Sequence, residues 1–216
     1  MKHLLYDIRR WLLTACLLAT TYVSAQIFTA TPIPDSVFAR MRGRSYPENC
    51  TVARSDLRYL HLSHWTSTHQ ERVGEMVCNK EIADELLTIF RQLYEARYVI
   101  ESIRLMDDFD ADDERSMRAN NTSCFCYRAV AGSQKLSRHA LGMAVDINPL
   151  YNPCVRQQKN GKPTVQPTTA IPFVDRQRSF PQKIDKSDLA YRLFMSHGFR
   201  WGGAWRTVKD YQHFEK

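Results

Sequence analysis

The amino-acid sequence predicts an α+β fold, in which a small, largely antiparallel sheet is flanked by helices. Residues 57–65 and 72–78 are two short β-compatible segments separated by polar residues, which is the pattern of a β-hairpin. Over residues 80–97, apolar side chains recur at steps of three and four, as on the buried face of an amphipathic helix. The 216 residues are 44% hydrophobic and 25% charged, a globular composition that excludes a disordered chain, a collagen and a coiled coil.

The first 25 residues have the pattern of an export signal. Basic residues are followed by a short apolar run, residues 11–19, and then by Val23, Ser24 and Ala25, where small side chains mark a signal-peptidase site. We therefore expect cleavage before Gln26 and a periplasmic or secreted protein.

Two alternatives to cleavage stay open. A retained membrane anchor needs about 20 apolar residues, and the run over residues 11–19 is much shorter. A lipid anchor on Cys16 would use the lipobox-like Leu13-Thr14-Ala15, although the apolar run before it is very short. Cleavage removes three basic residues and one acidic residue, so the net charge falls from +7 to +5. Cleavage also removes the apolar run over residues 11–19, so no stable membrane span is expected.

Charge and cysteine content indicate the kind of partner and compartment. Outside the cytoplasm, a positive net charge favours anionic polymers such as cell wall. No Lys/Arg run, zinc finger or RNA-binding motif supports nucleic acid as a partner. Five cysteines follow the predicted cleavage site, namely Cys50, Cys78, Cys124, Cys126 and Cys154. An oxidising compartment favours some disulfide pairing, and the odd number leaves at least one thiol free or paired between chains; the connectivity stays open.

We divide the chain into a signal peptide over residues 1–25, an N-terminal arm over 26–55 and a domain over 56–216. The arm contains three prolines and little periodicity, so irregular backbone is expected there. The other predicted elements are a helix over 80–97 capped by Asn79, strands over 100–106, 125–130 and 144–148, and a helix over 188–197 capped by Ser187 and ended by Gly198. Residues 150–185 show no periodic pattern, and so long a loop in a compact domain is usually functional or mobile.

An acidic run with the sequence DDFDADDE occupies residues 107–114. The alternating Asp108, Asp110 and Asp112 have the look of calcium ligands, but the run lacks the glycine and the distal glutamate of an EF-hand loop. We expect a solvated acidic loop, and calcium binding stays open.

Two short segments carry the residues of a possible zinc site. His139 and Asp146 lie seven residues apart in one segment, and His213 lies in the other, three residues after Asp210. Catalytic zinc is bound by three nitrogen or oxygen ligands with water in the fourth position. Asp146 stands in an apolar strand, where a carboxylate must be paired, hydrogen-bonded or bound to a metal. Gly142 supplies a flexible turn that lets His139 and Asp146 converge.

The pattern S-R-H-x-x-G-x-A-x-D at residues 137–146, followed by D-x-x-H-F at 210–214, resembles the VanY-like zinc D-Ala-D-Ala carboxypeptidase family. That family includes vancomycin-resistance dipeptidases and phage L-alanyl-D-glutamate endolysins. The stretches NNTSCFCYR, DINPLYNP, WGG-W and DYQHF look like one exported bacterial branch of it. The resemblance covers roughly residues 55–216 and implies a fold of the Hedgehog/DD-peptidase type.

The resemblance also implies a role for each site residue. One zinc ion would be held by His139, Asp146 and His213, and Asp210 would act as general base. Arg128 stands where the family has a catalytic arginine, so it would stabilise the oxyanion or bind a substrate carboxylate. On the substrate side we expect three further residues, Ser137, Trp205 and Tyr211.

The implied activity is hydrolysis of peptide bonds that contain D-amino acids in peptidoglycan stems or muropeptides. Both a D,D-carboxypeptidase or dipeptidase and an L-Ala-D-Glu endopeptidase fit, and an aspartate at the base position is similar to the endolysins. Related sequences often have W-G-G-D-W where this chain has Ala204. That departure keeps a second hypothesis open, a non-catalytic, zinc-containing module that binds cell wall.

Overall fold

The computed structural model describes residues 26–130, 132–158 and 161–216, so the predicted signal peptide lies outside the described residues. The strands are β1 Phe28–Thr31, β2 Leu57–Trp65, β3 Glu71–Asn79, β4 Ser102–Ile103, β5 Asn121–Thr122, β6 Ala144–Asp146, β7 Cys154–Arg156, β8 Thr164–Gln166, β9 Arg200–Trp201, β10 Val208–Asp210 and β11 His213–Glu215. The α-helices are α1 Asp35–Met41, α2 Ala83–Glu95, α3 Asp113–Arg118 and α4 Leu189–Ser196.

The largest regular unit is the antiparallel sheet β1-β2-β3, with α2 packed against it. The predicted hairpin is confirmed, because β2 and β3 pair from Leu57↔Asn79 to Trp65↔Glu71. The expectation of irregular backbone over residues 26–55 is wrong. β1 pairs with β2 over its whole length, and α1 buries apolar side chains. These elements are too short to produce a periodic signal in the sequence.

The predicted amphipathic helix is confirmed as α2, which places Leu86, Ile89, Phe90 and Leu93 in the core at 0–1% exposure. Its start differs from the prediction. The Asn79 side-chain oxygen accepts from the backbone N–H of Glu81, which stabilises the turn before the helix, and the helix itself begins without a side-chain cap.

The C-terminal sheet has the strand order β6-β11-β9 and is antiparallel. Its β6 strand confirms the first part of the strand predicted over residues 144–148. Helix α4 confirms the predicted second helix, and its Phe194 ring stacks on Phe214 of β11 with centroids 4.4 Å apart. The cap is Asp188 rather than the predicted Ser187, since the Asp188 carboxylate accepts from the amides of Ala190 and Tyr191.

Two predicted strands are wrong or shortened. Residues 125–130 are not a strand, because the amides of Phe125, Cys126 and Tyr127 donate to three separate segments rather than to one neighbouring strand. The strand predicted over 100–106 shrinks to β4, which pairs in parallel with β5. Sequence alternation cannot distinguish a ladder from extended backbone with scattered partners.

The aperiodic stretch over residues 150–185 contains more structure than predicted. β7 lies between β10 and β8 in a third small antiparallel sheet, and a 3₁₀ segment follows at Thr168–Phe173. The α+β class is therefore confirmed, with several small sheets in place of the one that was expected. The specific Hedgehog/DD-peptidase fold and the division of the chain at residues 25 and 55 stay predictions.

The acidic run over residues 107–114 is not the solvated loop that was expected. Asp107 is 4% exposed and accepts from the amide and hydroxyl of Ser45. Asp108 forms ion pairs with Arg40 and Arg104, and Asp112 caps α3. Within the described residues these carboxylates do not converge as a metal-binding group, so arginine pairing and capping account for them.

The five described cysteines are all free thiols. Among the described residues, no helix combines the length and the apolar character that crossing a membrane requires.

Candidate metal centre and active site

Three side chains predicted as metal ligands meet at one point. His139 Nε2 lies 3.1 Å from His213 Nδ1 and 3.3 Å from Asp146 Oδ1, and His213 Nδ1 lies 3.1 Å from the same Asp146 oxygen. These residues are the one group of three or more potential metal ligands that converges in the described part of the chain.

The spacing of these three atoms fits a tetrahedral zinc ion. Zinc binds imidazole nitrogen and carboxylate oxygen at about 2.0–2.2 Å, so neighbouring ligand atoms of a regular tetrahedron are about 3.3 Å apart. The observed separations of 3.1, 3.1 and 3.3 Å are close to that value. Two imidazoles and one carboxylate leave one tetrahedral corner free, as in catalytic rather than structural sites.

Strand register brings Asp146 and His213 together. They are directly paired residues of β6 and β11, and opposed residues of an antiparallel pair project their side chains to the same face. On its other side, Asp146 exchanges two backbone hydrogen bonds with Ser123. The backbone that carries this carboxylate is therefore held from both edges.

A 3₁₀ turn at His139–Leu141 delivers the third side chain. Gly142 ends that turn with φ +67°, and a Cβ there would lie 2.6 Å from the backbone nitrogen of Asn79. Glycine is thus needed both for the left-handed backbone and for the close approach to the end of β3. The Ser137 hydroxyl accepts from the His139 amide at 3.2 Å, so Ser137 stabilises the turn that bears a ligand.

Each histidine has a hydrogen-bond partner on its other ring nitrogen. His139 Nδ1 lies 2.7 Å from the carbonyl oxygen of Cys124 and donates to it, which leaves Nε2 unprotonated for a metal. His213 Nε2 lies 3.3 Å from a carboxylate oxygen of Glu215. Sequence reasoning missed Glu215, although a residue two positions along a strand lies on the same face.

The electrostatics of the group are set by burial and by close opposite charges. Burial acts to raise the pKa of Asp146, but His139 and His213 outweigh it and hold that pKa well below the usual range. For His213, burial acts to lower the pKa, whereas Asp146 and Glu215 raise it to about 10. A cation that binds here must therefore displace a proton from His213.

Asp210 lies beside this group at the end of β10. Gly202 permits the approach, since a Cβ at that position would lie 2.9 Å from the Asp210 Cβ and 3.2 Å from the His213 Cβ. Asp210 Oδ1 is buried and has no hydrogen-bond partner among the described residues. Burial raises the pKa of Asp210 to about 6, the nearby Asp146 adds to that rise, and His213 opposes it. The opposed strand residue is Cys154.

Arg128 approaches the centre from the extended segment after Cys126. Its carbonyl oxygen accepts from the amide of Ser137 at 3.0 Å, which joins this segment to the turn that carries His139. Its Nε lies 2.5 Å from Oδ2 of Asp113 in an ion pair. Burial acts to lower the pKa of Arg128, and Asp113, Cys126 and Asp146 together raise it.

The two aromatic residues predicted on the substrate side differ in position. The Trp205 ring lies 5.2 Å from the His213 ring, centroid to centroid, and is partly exposed. Tyr211 instead packs against the core, with its ring 6.0 Å from that of Trp201 and with the Arg176 guanidinium carbon 4.4 Å from the ring centroid. Trp205 is therefore the better placed of the two to contact a substrate.

A cavity of about 360 Å³ opens elsewhere, between the β2–β3 hairpin and β4. Its lining includes His64, Arg72, Glu101 and Arg104 and none of the predicted site residues.

Two imidazoles and one carboxylate surround a common point, with a second carboxylate beside them, so the chain belongs to the class of proteins with a candidate metal-binding centre. Residues 131–216 match the model of the family described as D-alanyl-D-alanine carboxypeptidase, which confirms the resemblance to VanY-like peptidases. The match spans less than half of the chain; it contains the three ligand candidates and Asp210, and Arg128 lies before it. No curated protein and no solved structure matches this chain.

Proposed function

We propose that this chain is an exported zinc metallopeptidase that hydrolyses D-amino-acid-containing peptide bonds of peptidoglycan stems. The observation that carries the proposal is the tetrahedral spacing of the ligand atoms of His139, Asp146 and His213 beside the buried Oδ1 of Asp210. When bound, zinc supplies a Lewis acid that polarises a carbonyl and makes water a nucleophile near neutral pH. The family match supports a peptidase and, through its description, a substrate derived from peptidoglycan.

Asp210 is the proposed proton acceptor. A general base works best when its pKa lies near the working pH, and burial moves the pKa of Asp210 upward to about 6. Its buried Oδ1 has no partner among the described residues, so this oxygen is available to take a proton from water and pass it to the leaving amine.

Arg128 is the proposed electrophilic group. A guanidinium presents a rigid fork of donors that suits a carboxylate or a developing oxyanion. Ser137 holds the His139 turn through its hydroxyl, and Trp205 would form part of the substrate wall. The Tyr211 side chain packs against the core, so we propose that Tyr211 serves the substrate side only through its backbone, which connects Asp210 to β11.

The proposal leaves two candidates for the bond that is cleaved, the D-Ala-D-Ala bond and the L-Ala-D-Glu bond. The family description favours removal of a terminal D-alanine, whereas the aspartate at the base position resembles enzymes that cut between L-Ala and D-Glu. Export through the predicted signal peptide would place either activity in the periplasm or outside the cell, where peptidoglycan is found.

The test uses purified residues 26–216, stripped of metal and then loaded with zinc, and incubated with defined muropeptides. Mass spectrometry of the products separates loss of D-alanine from cleavage after L-alanine. We expect cleavage that needs the metal and that is lost in Asp210→Asn while zinc is retained. If the zinc-loaded protein cuts neither bond, and Asp210→Ala leaves wall binding unchanged, the non-catalytic wall-binding module replaces this proposal.

A further inference from the structure

We infer that Asp113, the first residue of α3, positions the guanidinium of Arg128 for catalysis. This inference rests on the proposed function. Asp113 belongs to the acidic run over residues 107–114, which the sequence offers as a solvated loop or a calcium site. In the structure its Oδ2 lies 2.5 Å from Arg128 Nε, and the two side chains are 33% and 32% exposed.

The pairing leaves the reactive end of Arg128 free. Asp113 pairs with the inner Nε by charge, at a distance of 2.5 Å but without hydrogen-bond geometry. Within the described residues, no ion pair involves either terminal nitrogen of Arg128. A guanidinium held along its Nε edge keeps both terminal amines pointing the same way, which suits bidentate binding of a carboxylate or an oxyanion.

The backbone before Arg128 gives it limited support, since residues 124–127 have no strand partner and the amides of residues 125–127 donate to scattered acceptors. At Arg128 the chain is held by the hydrogen bond from the Ser137 amide and by the single bridge of Ala129 with Leu136. By contrast, the N-terminus of α3 is firmly held. Asp112 caps it by accepting from the Arg115 amide at 3.0 Å, and Glu114 accepts from the Thr168 amide at 2.8 Å.

The charges around the pair indicate a second reason for an acid at this position. A guanidinium close to a bound divalent cation is repelled by it, and a carboxylate beside the guanidinium offsets that repulsion. Asp113 is close enough to the metal centre to interact electrostatically with His139 and Asp146. Burial raises the pKa of Asp113, while Arg128 and His139 lower it and Asp146 raises it again.

Asp110 provides a matched control within the same acidic run. Its side chain is 61% exposed and forms ion pairs with Arg115 and Arg44, away from Arg128. Asp110→Asn removes one charge from the run, as Asp113→Asn does, without touching the pair.

The experiment measures kcat and KM of the zinc-loaded protein on the muropeptide that the wild-type protein cleaves. We expect Asp113→Asn to lower kcat/KM about 10- to 100-fold, the effect typical of residues that orient a site from behind. Zinc content and melting temperature should stay near the wild-type values. Asp110→Asn should leave kcat/KM unchanged, and Asp113→Glu, which keeps the charge, should retain more activity than Asp113→Asn.

A double-mutant cycle separates positioning from a general structural effect. If Asp113 acts through Arg128, the double variant Asp113→Asn/Arg128→Ala is no slower than Arg128→Ala alone. Additive losses, or a wild-type kcat/KM in Asp113→Asn, would overturn the inference while leaving the peptidase proposal intact. A wild-type protein that cleaves no muropeptide would overturn the peptidase proposal and the catalytic role of Asp113 with it.

Discussion

The β1-β2-β3 sheet and the metal centre are built in contrasting ways. β2 and β3 pair over nine residues, and α2 covers them with a continuous apolar face. Strands around the metal centre have two or three residues each, and the turn that carries His139 depends on single contacts such as the hydrogen bond from the His139 amide to the Ser137 hydroxyl. We therefore expect a substitution in the sheet to cost stability in proportion to the apolar surface that it uncovers. A substitution at the metal centre can instead abolish metal binding by removing a single atom.

Removal of one candidate ligand should have the largest effect. His213→Ala takes away an atom within 3.1 Å of both partner ligand atoms. We expect loss of bound zinc and a fall in kcat/KM of about 10³-fold or more, since a metal contributes several kcal/mol to the transition state.

The matched control is His69→Asn, at an exposed histidine of the hairpin connection whose φ of 58° an asparagine accepts readily. Metal analysis and peptidase assays check both variants. Zinc retained at one equivalent in His213→Ala would contradict the assigned ligand set.

Changing the proposed base comes next. Asp210→Ala should lower kcat by about 10²- to 10⁴-fold, the usual contribution of a general base, with zinc still bound. The active form of Asp210 is the carboxylate, so activity of the wild-type protein should rise with pH through its pKa and be lost as the pH falls. Burial raises that pKa to about 6, and a bound cation lowers it, so the acid limb should lie at or below about pH 6.

The pH profile of kcat/KM, with zinc content measured at each point, checks this prediction. Asp210→Asn should lack the acid limb in its residual activity. An unchanged limb in that variant would assign the titration to another group, such as proton competition for the metal ligands.

A core substitution in the sheet region should affect stability and spare the centre. Leu86 of α2 is fully buried, and truncation of such a residue to alanine costs about 2–5 kcal/mol of unfolding free energy. We expect Leu86→Ala to unfold at lower denaturant while zinc affinity and kcat at low temperature stay near wild type. Loss of zinc affinity in the still-folded variant would show that the two regions are coupled more tightly than their contrast implies.

A glycine pair tests how far the centre depends on one close approach. Gly142 and Gly43 have similar φ values of +67° and +74°, but a Cβ would clash with Asn79 only at Gly142 and would meet nothing within 4 Å at Gly43. Gly43→Ala should cost about 1–2 kcal/mol for left-handed backbone, and Gly142→Ala should cost more. Chemical unfolding and zinc titration compare them, and only Gly142→Ala should weaken zinc binding. Equal behaviour would mean that the approach to β3 is not required.

The contrast also explains what the sequence could predict. The hairpin, α2 and α4 follow from periodicity, because burial of one face repeats over many residues. His139, Asp146 and His213 were found from side-chain chemistry and from a spaced motif. Partners that depend on tertiary placement were missed, as with Glu215 behind His213 and Asp113 beside Arg128.

The remaining errors have the same physical origin. Residues 125–130 have strand-like composition, yet the amides of residues 125–127 donate to three different segments, and only Ala129 forms an isolated bridge, with Leu136. β1 and α1 are too short for a periodic signal, and register with β2 rather than composition makes β1 a strand.

Substitution of Ala204 should have the smallest effect on activity, and it tests whether positions at the edge of the metal centre are as sensitive as the ligands themselves. The resemblance predicts an acid at this position, but Ala204 is exposed at the end of a 3₁₀ turn over Gly202–Ala204. The turn is fixed instead by its two glycines, since a Cβ at Gly203 would strike the Trp201 ring. We expect Ala204→Asp to change the free energy of unfolding by no more than about 0.5 kcal/mol, as for most surface substitutions. The change in kcat/KM should be no more than about twofold. Steady-state kinetics on both muropeptide bonds check this. A gain above tenfold on one bond would mean that an acid at this position contacts substrate, and that its absence sets which bond the wild-type chain prefers.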